Sequence, residues 1–366
     1  MGAVRAYGRI VNGRDKDRII GAAEIMDILR IHFNVFCLFR NGLSLYSKRV
    51  FIMDDCRELF PEYLRFIKGV VDAPDLNLNV SREILQQDKM VRNIRKNIIK
   101  NVLKHLADMD KEKYEKFFDA FGMVLKEGIH SDWENKDKIA DLARYKTTKS
   151  EGKYVSLRDY VNNMKPDQKE IYYITGESMA TLMNSPHLEK LKEKDYEVLL
   201  MTDPIDEWVV QALHEYDKKP LKSAETGDLK LDDEKIDKKQ QKDLNKLFEF
   251  IQAELADKIK EVRPSTRLKD SVACLSSDDG EMSAYMEKIL KATGQAGPDV
   301  KRVLELNADH PAITKMKEIF DASKKDPKLK DYSQLLFDMA IIGEGGKIEN
   351  PSHFNKLVGE LLTSAL

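Results

Sequence analysis

Residues 171–201, IYYITGESMATLMNSPHLEKLKEKDYEVLLM, decide the fold class. The two ends of this stretch, 171–174 and 198–201, are short apolar runs bounded by polar residues, a pattern that predicts buried strands. Residues 178–194 between them predict a helix, and residues 206–216 predict a second helix after the second strand. Strands that alternate with helices in this way predict a parallel sheet with right-handed crossovers.

The composition indicates a folded protein without a strong charge bias. The chain has 366 residues, and 61 Lys and Arg against 63 Asp and Glu give a net charge of −2. This balance lacks the basic field of a nucleic-acid binder, so we expect no nucleic-acid partner. Three cysteines without CxxC spacing favour a reducing compartment, with no disulfide framework and no zinc site. We find no membrane-spanning apolar stretch and no signal sequence, and therefore expect a cytoplasmic protein with no membrane partner.

The sequence pattern predicts an α/β (α+β) protein in five parts. More than half of residues 217–245 are charged and none is aromatic, which predicts a linker. In chain order we expect an atypical N-terminal segment, a larger α/β unit with a helical coil, a small α/β unit, the charged linker and a mainly helical C-terminal dimerisation domain. Their predicted bounds are 1–44, 45–148, 149–221, 222–241 and 242–366.

Local patterns predict further elements. Strands are expected over 33–39, 45–53 and 272–275, helices over 61–69, 111–148 and 242–262, and Pro264 is expected to end the last helix. A long helix capped by Asp88 has apolar residues at spacings of three and four along one face. The opposite face carries Arg92, Lys96, Lys100 and Lys104. This basic stripe is compatible with phosphate binding, but we favour a solvated helix face.

The motifs of self-sufficient catalytic sites are missing. Gly346 and Lys347 are followed by Ile348, so they do not form a phosphate-binding P-loop. The sequence contains no HExxH, GxSxG or kinase motif set, and its seven histidines are scattered. We therefore expect neither a metal site nor an independent enzyme.

One apolar helical face is a candidate binding surface. Met282, Met286, Ile289 and Leu290 follow the spacing i, i+4, i+7 and i+8, with Tyr285 beside them. Methionine is flexible and polarisable, so such a face suits varied apolar partners. The same spacing is equally typical of an ordinary core helix, and the pattern alone leaves both interpretations open.

Two amphipathic helices at the end of the chain predict a dimer interface. Their apolar stripes are Leu335, Leu336, Met339 and Ile342, and then Phe354, Leu357, Val358, Leu361 and Leu362. Little sequence remains to cover them, so a symmetric four-helix arrangement with a second copy is favoured. Packing against residues 242–330 of the same chain is the alternative.

Several motifs resemble one protein family. Residues 46–56, YSKRVFIMDDC, and 78–87, LNVSREILQQ, resemble the middle domain of the heat-shock protein 90 chaperones, especially the bacterial HtpG type. Further similar stretches are 61–64, 69–72, 171–175, 185–189, 206–208, 267–268 and 270–271. The resemblance covers roughly 45–366. Residues 1–44 depart from the family, and its N-terminal ATP-binding domain has no counterpart, so we expect the middle and C-terminal domains only.

The resemblance implies roles for individual residues. Arg82 matches the arginine that reaches the γ-phosphate of ATP, with Asn79 and Gln86 in support. The intact family uses ATP and Mg²⁺, but we expect no cofactor and no ATPase activity on this chain alone. Glu207 and Trp208, expected to be exposed, and the helix bearing Met286 match surfaces that contact unfolded client proteins.

Two functions are therefore weighed. The leading hypothesis is a chaperone segment that dimerises and binds unfolded or partly folded client proteins. The alternative is an ATPase chaperone subunit completed by a nucleotide-binding domain on another chain.

Overall fold

The computed structural model describes residues 9–10, 42–74, 89–227, 229, 231, 238–295 and 300–365. The chain divides into two compact units, residues 1–144 with 211–213 and residues 145–210 with 214–366. Helices and several sheets occur together, which confirms the predicted α+β class. The predicted strand over 33–39 and the predicted cap Asp88 lie outside the described residues.

The first unit contains a four-stranded sheet. Its strands are β1 (Arg9–Ile10), β2 (Leu43–Ser47), β3 (Val50–Met53) and β4 (Gly69–Asp72), in the order β1-β4-β2-β3. The single strand predicted over 45–53 is wrong, because the chain reverses at Lys48 and Arg49 and β2 pairs antiparallel with β3. Both turn residues have positive φ, 49° and 68°. Glycine and asparagine usually mark such turns, so Lys and Arg gave no turn signal.

Three helices complete the first unit: α1 (Lys89–Ala107), α2 (Lys111–Ser131) and α3 (Lys136–Leu142). The predicted helix over 61–69 is only the short 3₁₀ turn Glu62–Leu64 before β4, and the helices predicted to reach residue 148 end at Leu142. The basic face of α1 is exposed, in agreement with the solvated-face interpretation. Its four side chains are Arg92, Lys96, Lys100 and Lys104.

The second unit begins within strand β5 (Arg144–Thr147) of a six-stranded sheet. The other strands are β6 (Val155–Ser156), β7 (Ile171–Thr175), β8 (Val198–Met201), β9 (Glu215–Tyr216) and β10 (Lys219–Ser223), in the order β6-β5-β8-β7-β10-β9. Strand β7 pairs in parallel with β8 and β10, which confirms the predicted parallel pairing. Strands β5 and β9 add antiparallel pairs outside these three strands.

The helices beside this sheet are shorter than predicted. They are α4 (Leu157–Asn163), α5 (Met179–Met183), α6 (Glu189–Glu193) and α7 (Asp206–Ala212). The helix predicted over 178–194 is broken at Ser185 and Pro186, where a 3₁₀ turn begins, because proline cannot continue the hydrogen-bonding pattern of a helix. The helix predicted over 206–216 ends at Ala212, and Glu215 and Tyr216 pair with β10 instead.

The C-terminal part of the second unit contains a three-stranded sheet and five helices within its described residues. The strands are β11 (Ile259–Pro264), β12 (Ala273–Ser276) and β13 (Arg302–Leu306), in the order β11-β13-β12. The helices are α8 (Lys238–Glu254), α9 (Ala284–Ala292), α10 (Pro311–Ala322), α11 (Pro327–Gly343) and α12 (Pro351–Ala365). The prediction of a helix to residue 262 is wrong, because α8 ends at Glu254 and residues 259–264 pair with β13. Leu247, Ile251 and Leu304 are fully buried in the core that α8 forms with this sheet.

The predicted linker over 222–241 contains folded residues at both ends. Lys222 and Ser223 belong to β10, and helix α8 already begins at Lys238. Ala224 and Leu229 are buried in the core of the six-stranded sheet. Residues 228, 230 and 232–237 lie outside the described residues. The five predicted domain bounds as a whole stay a prediction.

A buried ion pair joins the two sheets of the second unit. Arg267, which is 0% exposed, donates to Glu305 of β13 at 2.9 and 3.1 Å. The same guanidinium donates to the backbone carbonyls of Ala224 and Gly227, which follow β10. Arg263 adds a second cation, 2.9 Å from Glu305. One side chain thus binds the segment after the larger sheet to the smaller sheet.

The charge on Glu305 depends on these partners. Burial by itself raises the pKa of its carboxyl, but the Arg267 charge and hydrogen bonds from Ser276, Arg267 and Arg263 outweigh burial and lower the pKa to about 2. Glu305 is therefore ionised in the folded protein at neutral pH, and the pair is a true ion pair.

Replacing Arg267 should strongly destabilise the second unit. Arg267→Met leaves the Glu305 charge buried with weaker compensation and should lower the free energy of unfolding by about 3–5 kcal/mol. Urea unfolding of a Trp133→Phe background, in which Trp208 is the remaining tryptophan, measures this unit. Lys330→Met, which removes an exposed ion pair with Glu254, should cost less than about 1 kcal/mol. Equal losses of unfolding free energy in Arg267→Met and Lys330→Met would contradict the conclusion that the buried ion pair stabilises this unit.

Candidate functional site

Helix α9 carries most of the predicted client-binding residues. Ser283 caps it by accepting a hydrogen bond from the Met286 amide at 2.9 Å, a typical N-cap arrangement. The apolar face is neither a closed core nor fully exposed: Tyr285 is buried, whereas Met286, Ile289 and Leu290 are half-buried. Met282 is exposed and precedes the helix, so the prediction that it belongs to the helical face is wrong.

Helix α7 carries the other two predicted client-binding residues, and one expectation about them is wrong. Glu207 is only 3% exposed, so it is not an exposed acid beside a tryptophan. Trp208 is half-buried and keeps part of its ring at the surface, while Val209 is fully buried. Because Glu207 and Val209 point inward on either side of it, Trp208 is the member of this turn that remains accessible.

The structure brings these two helices together at their N-terminal ends. The Ser283 hydroxyl donates to Glu207 Oε1 at 2.7 Å, and the Tyr285 hydroxyl donates to the Thr202 carbonyl oxygen at 3.3 Å. Burial raises the pKa of Glu207, and its hydrogen bonds with Ser283 and Thr175 act in the opposite direction. Sequence reasoning missed Ser283 and Thr202. The only available signal was a serine three residues before Met286, the spacing of a helix cap.

A small cavity of about 50 Å³ lies beside this junction, at the carboxyl end of β7. Its lining includes Thr175, Glu225, Tyr285, Lys288 and Glu344. Glu225 keeps partial contact with solvent, yet burial of its carboxylate, together with the charges of Glu344 and Glu207, raises its pKa to about 8. A cavity of this size holds water rather than an organic ligand.

The first predicted dimer stripe, on α11, divides into two pairs. Leu335 and Leu336 are buried within this chain, so the expectation that they are free for a second copy is wrong. Leu336 packs in the core around the three-stranded sheet. Met339 and Ile342, in contrast, are 44% and 47% exposed.

The second predicted stripe, on α12, becomes more exposed toward the chain end. Leu357 is buried, Phe354 and Val358 are half-buried, and Leu361 and Leu362 are 37% and 60% exposed. Helices α11 and α12 pack against each other. The exposed apolar side chains of the two stripes are therefore the last two in each, Met339 and Ile342 on α11 and Leu361 and Leu362 on α12.

Comparison with known proteins places the chain in a family. Residues 32–366 match the family described as Hsp90 protein. The chain belongs to the Hsp90 family. This match includes both compact units from residue 32 onward, with the α7–α9 junction and helices α11 and α12.

Individual Hsp90 relatives are bacterial chaperones. The chaperone protein HtpG of Geobacter sulfurreducens is 46% identical over 336 residues, which cover 89% of this chain and 52% of that protein. HtpG of Burkholderia cenocepacia is 46% identical over 340 residues, covering 89% and 53%, and HtpG of Rhodococcus jostii is 45% identical over 334 residues, covering 88% and 52%. The chain spans about half the length of the curated relatives it matches.

The three residues predicted to act on ATP in Hsp90 proteins, Asn79, Arg82 and Gln86, lie in 75–88, outside the described residues. The described part of the chain contains no group of three or more His, Cys, Asp or Glu side chains placed to hold a metal ion. No described helix has the length and apolar character needed to cross a membrane.

Removing the Ser283 hydroxyl should loosen the start of α9. Ser283→Ala deletes the helix cap, worth about 1 kcal/mol, and leaves the buried Glu207 without this donor. Hydrogen exchange of the Met286 and Glu287 amides should accelerate, whereas Glu207→Gln, which keeps an acceptor for Ser283, should change it little. If the exchange rates of these two amides are unchanged in Ser283→Ala, the Ser283 hydroxyl does not stabilise the start of α9.

The raised pKa of Glu225 should make stability depend on pH. Between its ordinary pKa of 4.5 and its folded value of about 8, the folded state holds a proton that the unfolded state has lost, so stability falls as pH rises. Glu225→Gln removes this effect. The difference between the urea midpoint of Glu225→Gln and that of the unsubstituted protein should therefore shift in favour of the variant from pH 5.5 to pH 8. Glu318→Gln, on the exposed face of α10, is the control; an equal increase there would refute the assignment to Glu225.

Proposed function

We propose that this chain forms the client-binding and dimerising part of an Hsp90-family chaperone that acts in the cytoplasm. One observation carries the proposal: apolar side chains remain partly exposed on two helices, α7 and α9, that the Ser283–Glu207 hydrogen bond holds together. Family membership supports it, because the relatives with curated names are chaperones.

The surface has the chemistry needed to hold unfolded chain segments. Met282 is exposed, and Met286, Ile289 and Leu290 are half-buried, so a partner can cover them without opening the core. Methionine adapts its shape to different apolar groups. Trp208 adds a rigid aromatic surface. This combination favours weak binding to many unfolded sequences over tight binding to one folded partner.

Dimerisation would use the exposed ends of the last two helices. Met339 and Ile342 on α11 and Leu361 and Leu362 on α12 are large apolar side chains exposed to solvent. Pairing them with the same residues of a second copy buries all of them in one symmetric four-helix interface. Phe354 and Val358, which are half-buried, would line its edge.

The nucleotide-linked role rests on resemblance. We propose that Arg82, with Asn79 and Gln86, contacts the γ-phosphate of ATP that another domain of the Hsp90 protein binds. A fixed guanidinium is suited to this task because it can neutralise charge during phosphoryl transfer.

Client binding is tested by suppression of aggregation. The purified chain, without ATP, should reduce light scattering of a chemically denatured test protein, and Met286→Ser and Trp208→Ser should each weaken this effect by at least about threefold, since each removes one buried apolar contact. Met123→Ser replaces an exposed methionine on α2, outside the proposed surface, and should have no effect. Equal activity in all four proteins would exclude the proposed surface.

The dimer is tested by solution mass. At micromolar concentration the chain should have twice its mass of 42.1 kDa, and Ile342→Glu with Leu362→Glu should yield monomers because buried unpaired carboxylates oppose association. Val50→Glu, an exposed site on β3, should stay dimeric. A double variant that remains dimeric would show that these helices do not form the interface.

A further inference from the structure

A second cavity lies where the chain enters β7 and β8, at the other end of these strands from the α7–α9 junction. Its volume is about 330 Å³, which is within the range of small-molecule sites. Three separate stretches of the second unit bring cations, carboxylates and an amide to this cavity. They supply Lys149 between β5 and β6, Lys165 and Gln168 before β7, and Asp195 and Glu197 before β8.

Gln168 brings to this cavity an acceptor that the fold leaves unused. The residue is 3% exposed, and its Nε2 donates to the Glu170 carbonyl oxygen at 2.8 Å and to the Tyr160 hydroxyl at 3.0 Å. The amide cannot be reversed, because the Glu170 oxygen only accepts and the Tyr160 hydroxyl donates its proton to the Glu197 carbonyl oxygen. Gln168 Oε1 therefore has no donor within the described part of the chain, yet solvent reaches this atom. A nearly buried acceptor of this kind is suited to an N–H group of a ligand.

The Glu197 carboxylate adds a negative charge to the same cavity. The Thr147 hydroxyl donates to Glu197 Oε1, and none of the cations that the structure describes forms an ion pair with Glu197. Its Oε2 is therefore free to accept from a ligand. An amide oxygen and a carboxylate together favour a positively charged N–H donor, because hydrogen bonds that involve an ionised group are the stronger ones.

Two lysines provide a place for a negative group. Lys149 donates to the Asp195 carbonyl oxygen at 2.8 Å and to the Asp195 carboxylate, and Lys165 lies 2.6 Å from the other carboxylate oxygen. Because an ammonium group has three N–H donors, both lysines keep a donor for a further acceptor. The two side chains are 40% and 43% exposed, so a ligand carboxylate can join them without opening the core.

We propose that this cavity binds a small zwitterion, a solute with one ammonium and one carboxylate group, of which a free amino acid is the simplest example. The ligand ammonium donates to Gln168 Oε1 and Glu197, and the ligand carboxylate accepts from Lys149 and Lys165. The two lysines balance the two carboxylates of the cavity, so a zwitterion preserves this balance and a singly charged ligand disturbs it. This site is separate from the client surface and does not depend on it.

The test is isothermal titration calorimetry of the full chain with glycine, 4-aminobutyrate and 6-aminohexanoate, which hold the two charges at different separations. The best of these should bind at least about tenfold more tightly than butylamine or butyrate, because each of the latter lacks one set of charged hydrogen bonds. Glu197→Gln, which keeps an acceptor for Thr147, and Lys165→Met should each weaken binding of the zwitterion about tenfold. Lys315→Met, at an exposed site on α10, should leave the affinity unchanged.

Gln168→Met removes the unused acceptor and should abolish binding. This variant also takes a donor from the Tyr160 hydroxyl, so its fold is checked by circular dichroism, and Glu197→Gln and Lys165→Met decide the outcome if it does not fold. Absence of binding by all three zwitterions, or equally tight binding of butylamine or butyrate, would overturn the proposal. So would unchanged affinity in both Glu197→Gln and Lys165→Met, because the solute would then bind elsewhere.

Discussion

The buried Arg267–Glu305 pair is the constraint on which the second unit depends. A fully buried guanidinium needs acceptors for its N–H groups, and here two carboxylate oxygens and two backbone carbonyls accept from four of its five donors. Those acceptors come from β13 and from the segment that follows β10. The same unit is tied a second time by Glu189, whose carboxylate accepts from the amides of residues 269–271. The two sheets are therefore fixed relative to each other by polar bonds rather than by shape alone.

This fixed arrangement is what gives the candidate surface its form. Trp208 belongs to the larger sheet's layer and Met286 to the C-terminal part, and neither helix alone presents a broad apolar area. Only when both parts are held in place can Ser283 reach Glu207, and this bond brings the N-terminal ends of α7 and α9 together. Polar bonds inside the second unit thus hold the helices that carry the partly exposed apolar residues. Substitutions in this polar interior can therefore change the arrangement of α7 and α9.

The sequence predicted the features that depend on local pattern and missed those that depend on distant partners. The parallel strands β7 and β8 follow from two apolar runs, and α9 follows from its spacing. The hairpin at Lys48 and Arg49 was missed because these residues do not usually adopt positive φ. Glu207 was expected at the surface because its partner Ser283 lies 76 residues away, and no local pattern reveals such a bond. The helix predicted over 242–262 extends into residues of β11, because the strand partner of β11, β13, comes much later in the chain.

The burial of Leu335 and Leu336 inside their own chain has a consequence for assembly. Since α11 already packs against a core within its own chain, its buried residues need no second copy to cover them. In the dimer proposed above, only the exposed ends of α11 and α12 would meet the partner, and separation would leave each copy folded. Such copies would exchange between dimers, so two variants of the chain would form mixed pairs on simple mixing, without denaturation.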